Sequence, residues 1–267
     1  MPSPLDPATS TILIVGGGTW GSSTALHLAR RGYRHVTVLD AHAVPSAISA
    51  GNDINKIVEQ ASLPTPTDPA PTTVTNTLLA AAAAAWRSDP VFAPHHHPTG
   101  YILAASSPAA LAALRAREQP SPANGFAALE SAAHFRAAMA PGVLTGALPG
   151  WRGWLKRDGA GWVHARRALV GAAAEAERLG VRYVTGGPRG EVVGLVVEGG
   201  DVRGVRTRDG VVWRADRTVV CAGAWAPGLL DLEGQLRPTA WTLCHIKMGV
   251  EEARAYKDLP VLFHVER

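Results

Sequence analysis

The run Thr11–Asp40, TILIVGGGTWGSSTALHLARRGYRHVTVLD, decides the fold class of this chain. Residues 11–15 are a short apolar run that stops at glycines, the pattern of a strand buried in a parallel sheet. From Trp20 to Arg31 apolar residues recur at Ala25, Leu28 and Ala29, and Gly32 follows, which predicts a helix with a glycine stop. Residues 35–40, HVTVLD, are a second strand, so the stretch is a βαβ unit with a glycine turn after its first strand.

Gly16, Gly18 and Gly21 fit G-x-G-x-x-G, and each glycine has its own reason. Gly16 permits a tight turn, Gly18 lets the backbone approach a pyrophosphate, and Gly21 lets the helix sit close on the strand. The helix N-terminus, at Thr19 and Trp20, offers free N–H groups and partial positive charge to phosphates. Asp40, at the end of the second strand, is placed to accept hydrogen bonds from an adenosine ribose, and its charge disfavours NADP. A glycine turn that binds nothing is the competing reading; the preceding strand, the helix pattern and the terminal acid weigh against it. FAD and NAD both present ADP to such a turn. An NAD domain normally continues promptly with further βα units. Here a long polar loop leaves the unit, and an apolar strand, TVVCAGAW, returns only at residues 218–225, a detour that suits a discontinuous FAD domain.

Residues 43–56 are small and polar, a loop with turn formers, and SLPTPTDPAP (62–71) is expected to cross the surface in extended form. The alanine-rich stretch after Thr73 reads as a helix and TGYILAA (99–105) as a strand, with Ser107 and Pro108 opening another helix as cap and first-turn proline. From His164 to Leu179 the apolar spacing predicts an amphipathic helix stopped by Gly180. VRYV, EVVGLVVEG, DVRGVRTRDG and VVWRAD then read as a meander of short strands. TAWTLCHIKMGV (239–250) and PVLFHVER (260–267) read as two more strands. In the first of these, Cys244 alternates with Ile246 and Met248 as core, while His245 and Lys247 share the opposite face, which either lines the substrate cavity or, the favoured reading, meets water.

The 267 residues carry a net charge of +4, but the arginines are scattered rather than clustered, so no nucleic-acid partner is expected. No apolar run reaches the roughly 18 residues of a membrane span, and the start has no secretory pattern. A cytoplasmic protein is expected. Two isolated cysteines, Cys221 and Cys244, make neither a disulfide framework nor a metal pair. His95, His96 and His97 are adjacent in a loop and point different ways, so no metal site is expected there. Trp151, Trp154 and Trp162 read as packing or as a cavity wall.

Several stretches together resemble the fungal fructosyl amino acid and peptide oxidases, the amadoriases, within the sarcosine-oxidase-like FAD amine oxidases. They are GGGTWGSSTALHLARRGY, VPSAISAGNDINKI, TGYI, GAGWVHARRALV, ADRTVVCAGAWA and LRPTAWTLCHI, in family order over essentially the whole chain. The resemblance implies an α/β chain: a glutathione-reductase-like Rossmann FAD domain with a discontinuous α+β substrate domain built on a mixed sheet. The FAD domain is expected over 1–90 and 160–233, and the partial substrate domain over 91–159 and 234–267. It implies oxidation of the C–N bond of a fructosyl amine, with oxygen reoxidising the flavin to give hydrogen peroxide, and a monomer.

By the same resemblance Gly16, Gly18 and Gly21 line the pyrophosphate and Asp40 the ribose, with Thr19 and Trp20 also binding the cofactor. Ser46, Ser49, Asn52 and Asp53 lie in a loop beside the cofactor, and Ala222 and Gly223 close over it. Lys56 matches the family's basic residue close to the flavin ring, a cofactor-binding and catalytic position, while from its own sequence context a solvated lysine after a loop is an equal reading. Relatives continue past PVLFHVER with a GFFFEP-like strand, an oxygen-activating lysine, a substrate-binding acid and a cysteine bonded to the flavin. None of these lies within the 267 residues, so the chain is expected to be truncated at its C-terminus, to hold the ADP half of the site and to expose apolar surface. Impaired activity follows. The alternatives are a non-catalytic FAD-fold fragment or interaction module and, against the loop after Asp40, an NAD-dependent dehydrogenase. A full-length relative could also be peroxisomal.

Overall fold

A computed structural model describes residues 4–59, 73–118, 120–240 and 242–266. In chain order the elements are β1 (Thr11–Val15), α1 (Thr19–Arg30), β2 (His35–Asp40), β3 (Lys56–Glu59), α2 (Thr73–Ser88), β4 (His96–His97) and β5 (Tyr101–Ala105). Next come α3 (Pro108–Glu118), β6 (Phe126–Leu129), α4 (Ala132–Ala138), β7 (Arg152–Lys156), β8 (Ala160–Val163) and α5 (Ala165–Arg178). Then follow β9 (Arg182–Thr185), α6 (Gly187–Gly190), β10 (Val192–Glu198), β11 (Asp201–Thr207), β12 (Val212–Arg214), β13 (Arg217–Val220), α7 (Val250–Tyr256) and β14 (Val261–His264).

The chain divides into two compact units, Met1–Ile54 with Ala165–Leu243 and Asn55–His164 with Cys244–Arg267. The sequence reading puts its boundaries near residues 90, 160 and 234. The difference at the first boundary has a simple cause: β3 pairs with β8, which carries residues 56–59 into the second unit.

In the first unit β13, β1, β2 and β9 form a parallel sheet in that order. Its strand β1 is buried from Ile12 to Val15, as the unbroken apolar run predicts. On one face Leu13, Val15 and Leu39 pack with Val205, Leu195 and Trp213 of the antiparallel meander β10–β11–β12. Burying each such side chain contributes roughly 1.5–3 kcal/mol. Helices α1 and α5 pack on each other, burying Ala25 and Leu26 on one and Ala168, Leu169, Ala172, Ala173 and Ala176 on the other. The small residues allow the close approach, and Gly32 and Gly180 follow the two helices at φ of +87° and +98°.

Two expectations change. The sequence groups VRYV with the meander, but β9 lies parallel to β2, pairing Thr37 with Arg182 and Leu39 with Val184. Short β-branched strands look alike in sequence; what sets β9 apart is that it follows helix α5 directly, which feeds a parallel pairing. The strand expected over 239–250 is absent from its described residues: 242–249 have no regular structure and are exposed, with Ile246 84% and Met248 48% accessible. Cys244 is exposed rather than core. Alternation alone makes no strand where no neighbour supplies the ladder.

In the second unit β14, β5, β7 and β6 form a mixed sheet, with β14 parallel to β5 and the others antiparallel. Strand β5 is buried on both faces. Tyr101, Leu103 and Ala105 pack with Leu114, Phe126 and Trp154, while Ile102 and Ala104 pack with Leu129, Phe135 and Leu155. The Ser107 hydroxyl accepts the Ala110 N–H at 3.2 Å, capping α3 as its sequence predicts. A second, three-stranded sheet runs β3–β8–β4. The crossing expected over 62–71 lies outside the described residues.

Candidate cofactor site

The glycine turn is built by close contacts that only glycines allow. Gly16 has φ of +100°, and a Cβ there would lie 2.5 Å from the Cys221 carbonyl oxygen. A Cβ on Gly21 would lie 1.7 Å from the Gly16 carbonyl oxygen, so the helix can approach β1 only because residue 21 has none. Gly18 precedes α1 in extended conformation with no side-chain cap, and no acidic residue occupies the first turn of the helix. The Ser22 N–H donates to the Gly18 carbonyl at 2.9 Å, which leaves the N–H groups of Thr19, Trp20 and Gly21 for an acceptor from outside the helix. Thr19 and Trp20 are exposed, Trp20 at 77%.

Asp40 sits at the carboxyl end of β2, facing this turn. Its Oδ2 accepts the Gly17 N–H at 2.7 Å and its Oδ1 accepts the His42 N–H at 2.8 Å. A carboxylate oxygen has lone pairs beyond these, so the group can still accept ribose hydroxyls.

The loop after β2 folds back beside the turn. Ser49 Oγ lies 3.3 Å from where a Gly18 Cβ would stand, and the Gly51 N–H donates to it at 3.2 Å. Ser46 is buried, and its hydroxyl accepts the Ile48 N–H at 3.3 Å. Asn52 Oδ1 accepts Arg166 Nε at 2.7 Å, and the Asp53 carbonyl accepts the Arg166 N–H at 2.9 Å. The loop is thereby pinned to the start of α5.

After β13 the Cys221 N–H donates to the Val15 carbonyl at 2.7 Å, and Ala222 opens a short 3-10 turn through Gly223, whose φ is +52°. Burial pushes the Cys221 thiol up from its ordinary pKa. The first unit thus brings together Gly16, Gly18, Thr19, Trp20, Gly21, Asp40, Ser46, Ser49, Asn52, Asp53, Ala222 and Gly223. Lys56 belongs to the second unit. It is exposed and opens β3 opposite Val163, which in turn faces His96. On the next row Trp162 stands between Ile57 and His97, and the His97 and Trp162 rings stack at 3.8 Å. Burial holds His96 and His97 below the ordinary imidazole value. Trp154 is packed in the core, and Trp151 lies edge-on to Phe135.

Three contributors escape the sequence reading. Gly17 is buried and supplies the N–H that Asp40 holds. Ser22, fully buried, donates its hydroxyl to the Gly17 carbonyl at 2.9 Å and fixes the turn from inside. Its one signal is a polar residue on the helix face that carries Ala25 and Leu26. Arg166 has no signal, because its partner Asn52 lies 114 residues away. Among the described residues no group of three or more His, Cys, Asp or Glu could hold a metal ion. Nor is any described helix long and apolar enough to cross a membrane.

A glycine turn at the end of a parallel strand, an open helix N-terminus and a carboxylate across from it define a dinucleotide-binding unit. The family model described as FAD dependent oxidoreductase (DAO) matches residues 11–264, and the chain belongs to that family. Among solved structures it is similar to fructosyl amine:oxygen oxidoreductase (Amadoriase I) of Aspergillus fumigatus, at 54% identity and a TM-score of 0.91, over 99% of this chain and 60% of that one. Amadoriase II of the same organism, solved in complex with FSA, is 49% identical with a TM-score of 0.91 over 99% of this chain and 60% of the other. The L-saccharopine oxidase of Schizosaccharomyces pombe is 27% identical over 95% of this chain and 60% of its own length. The chain therefore spans about 60% of the length of the relatives it matches. FAD is the cofactor of this family, which sets aside the NAD-dependent dehydrogenase reading.

Proposed function

We propose that this chain binds FAD and belongs to an oxidase of fructosyl amino acids, which oxidises the substrate's C–N bond to an imine that water hydrolyses, the two electrons passing through the flavin to oxygen to give hydrogen peroxide. What supports this most is the fit of the glycine turn to a phosphate-bearing ligand: no side chain at 16, 18 or 21, uncapped N–H groups at the start of α1, and no acid in its first turn. The 54% identity to Amadoriase I supports the substrate class.

In this reading the N–H groups of the first helical turn bind the pyrophosphate, with Gly16, Gly18 and Gly21 clearing its approach. Asp40 accepts hydrogen bonds from the ribose hydroxyls while its grip on Gly17 keeps the turn in shape. Ser46 and Ser49 supply hydroxyls from the loop, which Asn52 and Asp53 anchor through Arg166. Ala222 and Gly223 cover the cofactor from the end of β13. Lys56 carries the basic group that acts at the redox centre, a role that rests on the stretch SAISAGNDINK. FAD supplies the capacity to accept the hydride equivalent. The protein works as a cytoplasmic monomer with a small-molecule substrate and no nucleic-acid partner.

The visible spectrum of the purified protein, followed by a peroxide-coupled assay with fructosyl-valine, tests both levels. Flavin bands with weak peroxide formation are expected. Flavin without peroxide would leave a binding fragment, and a protein that takes up no FAD would end the proposal.

A further inference from the structure

At the amino-terminal edge of the parallel sheet, the end opposite the glycine turn, a cavity of about 370 Å³ opens between β1, β2, β9 and β12 of the meander. Its titratable lining side chains are Arg34, His35, Arg182 and Arg214, and none is a carboxylate. Register places Arg182, Thr37 and Leu13 in one row across the sheet, on the face that packs against the meander. Arg182 is held over the Trp213 ring at 5.2 Å, so its guanidinium has a fixed platform.

The nearby acids are already engaged. Glu198 grips Arg214 through both carboxylate oxygens at 2.7 and 2.9 Å. Asp216 accepts the Thr11 N–H at 2.7 Å and the Thr11 hydroxyl at 2.8 Å. Among the described residues no carboxylate pairs with Arg34 or Arg182. Two guanidiniums without a carboxylate partner thus line one concave space, together with the His35 imidazole. A guanidinium presents its N–H donors in a planar fork that matches an oxyanion.

We propose that this cavity is a binding site for a small oxyanion, a phosphate or a carboxylate, separate from the dinucleotide site. Arg182 and Arg34 clamp the anion from β9 and from the start of β2, and the Thr37 hydroxyl donates to it. The site does not depend on the proposed oxidase activity.

Calorimetric titration of the purified protein with inorganic phosphate and with citrate, at constant ionic strength and with chloride as the control, tests this. One saturable site is expected for at least one of the two, with at least tenfold weaker binding in Arg182→Gln and in Arg34→Gln and partial recovery in Arg182→Lys. Phosphate alone would mark a phosphoryl ligand and citrate alone a polycarboxylate; either supports the site. Circular dichroism checks that each variant folds, and the unmodified protein carries the test if one does not. Heats no larger than those of chloride, undiminished affinity in both folded variants, or binding that added FAD displaces would overturn the proposal.

Discussion

The carboxylate of Asp40 accepts the backbone N–H of Gly17 at 2.7 Å, across 23 residues of sequence. The acid proposed to bind the ribose therefore also shapes the turn proposed to bind the pyrophosphate. Replacing it by alanine removes both functions at once. A hydrogen bond to a charged group contributes about 1.5–3 kcal/mol, or roughly 10- to 100-fold in affinity. Asp40→Ala is expected to weaken FAD binding by that factor, measured by quenching of flavin fluorescence. An unchanged dissociation constant would remove Asp40 from the site.

Gly21 is the tightest glycine of the turn, with the Gly16 carbonyl oxygen only 1.7 Å from where a Cβ at residue 21 would stand. The obstacle is backbone, so Gly21→Ala must push α1 away from β1. Overpacking of this kind costs typically 1–3 kcal/mol. Gly194 on β10 has open space around it at an ordinary φ, and Gly194→Ala is expected to stay within about 0.5 kcal/mol. Thermal unfolding of the pair should separate them by several degrees, and equal midpoints would contradict the packing described.

His96 and His97 are both held below the ordinary imidazole value, chiefly by burial and, for His96, by His97 and Arg87 as well. The folded state then binds fewer protons than the unfolded one as pH falls below about 6.5. The stabilisation from neutral imidazoles is present above that pH and is lost as pH falls from there through the folded values. His96→Gln and His97→Gln are expected to flatten the fall of the unfolding midpoint between pH values of about 7 and 5. A slope that survives the double replacement would place the sensitivity elsewhere.

Cys244 is exposed, while Cys221 is half-buried and burial raises its thiol pKa. Thiolate is the reactive form, so the two should alkylate in sequence. Brief iodoacetamide treatment of the folded protein followed by peptide mass spectrometry is expected to mark Cys244 first, and Cys244→Ser should abolish the fast phase. Preferential labelling of Cys221 would refute the burial assigned to it.

Much of the glycine turn is legible in the sequence because its physics is local. Gly16, Gly18, Gly21 and Asp40 sit in one βαβ unit whose period and stops announce it, and the helix after residue 164 announces itself by the same spacing. What escapes depends on distant partners. Nothing in VRYV says that its neighbour is β2 rather than β10. Nothing near Arg166 points to Asn52. The stretch 242–249 alternates like a strand, yet strand formation needs a ladder partner that periodicity cannot supply.

Strand β13 lies beside β1 with Val15 opposite Val220, and Asp216 is bonded to Thr11, 205 residues earlier. A chain emerging from the ribosome makes Gly16 early but must wait for Cys221, whose carbonyl lies against the Gly16 turn, before that strand pair can form. All of Asn55–His164, most of the other unit, is made in the interval. The first βαβ segment is thus held open through most of the synthesis of these residues, exposing the edge of β1, and the nucleotide cradle closes only after that long delay.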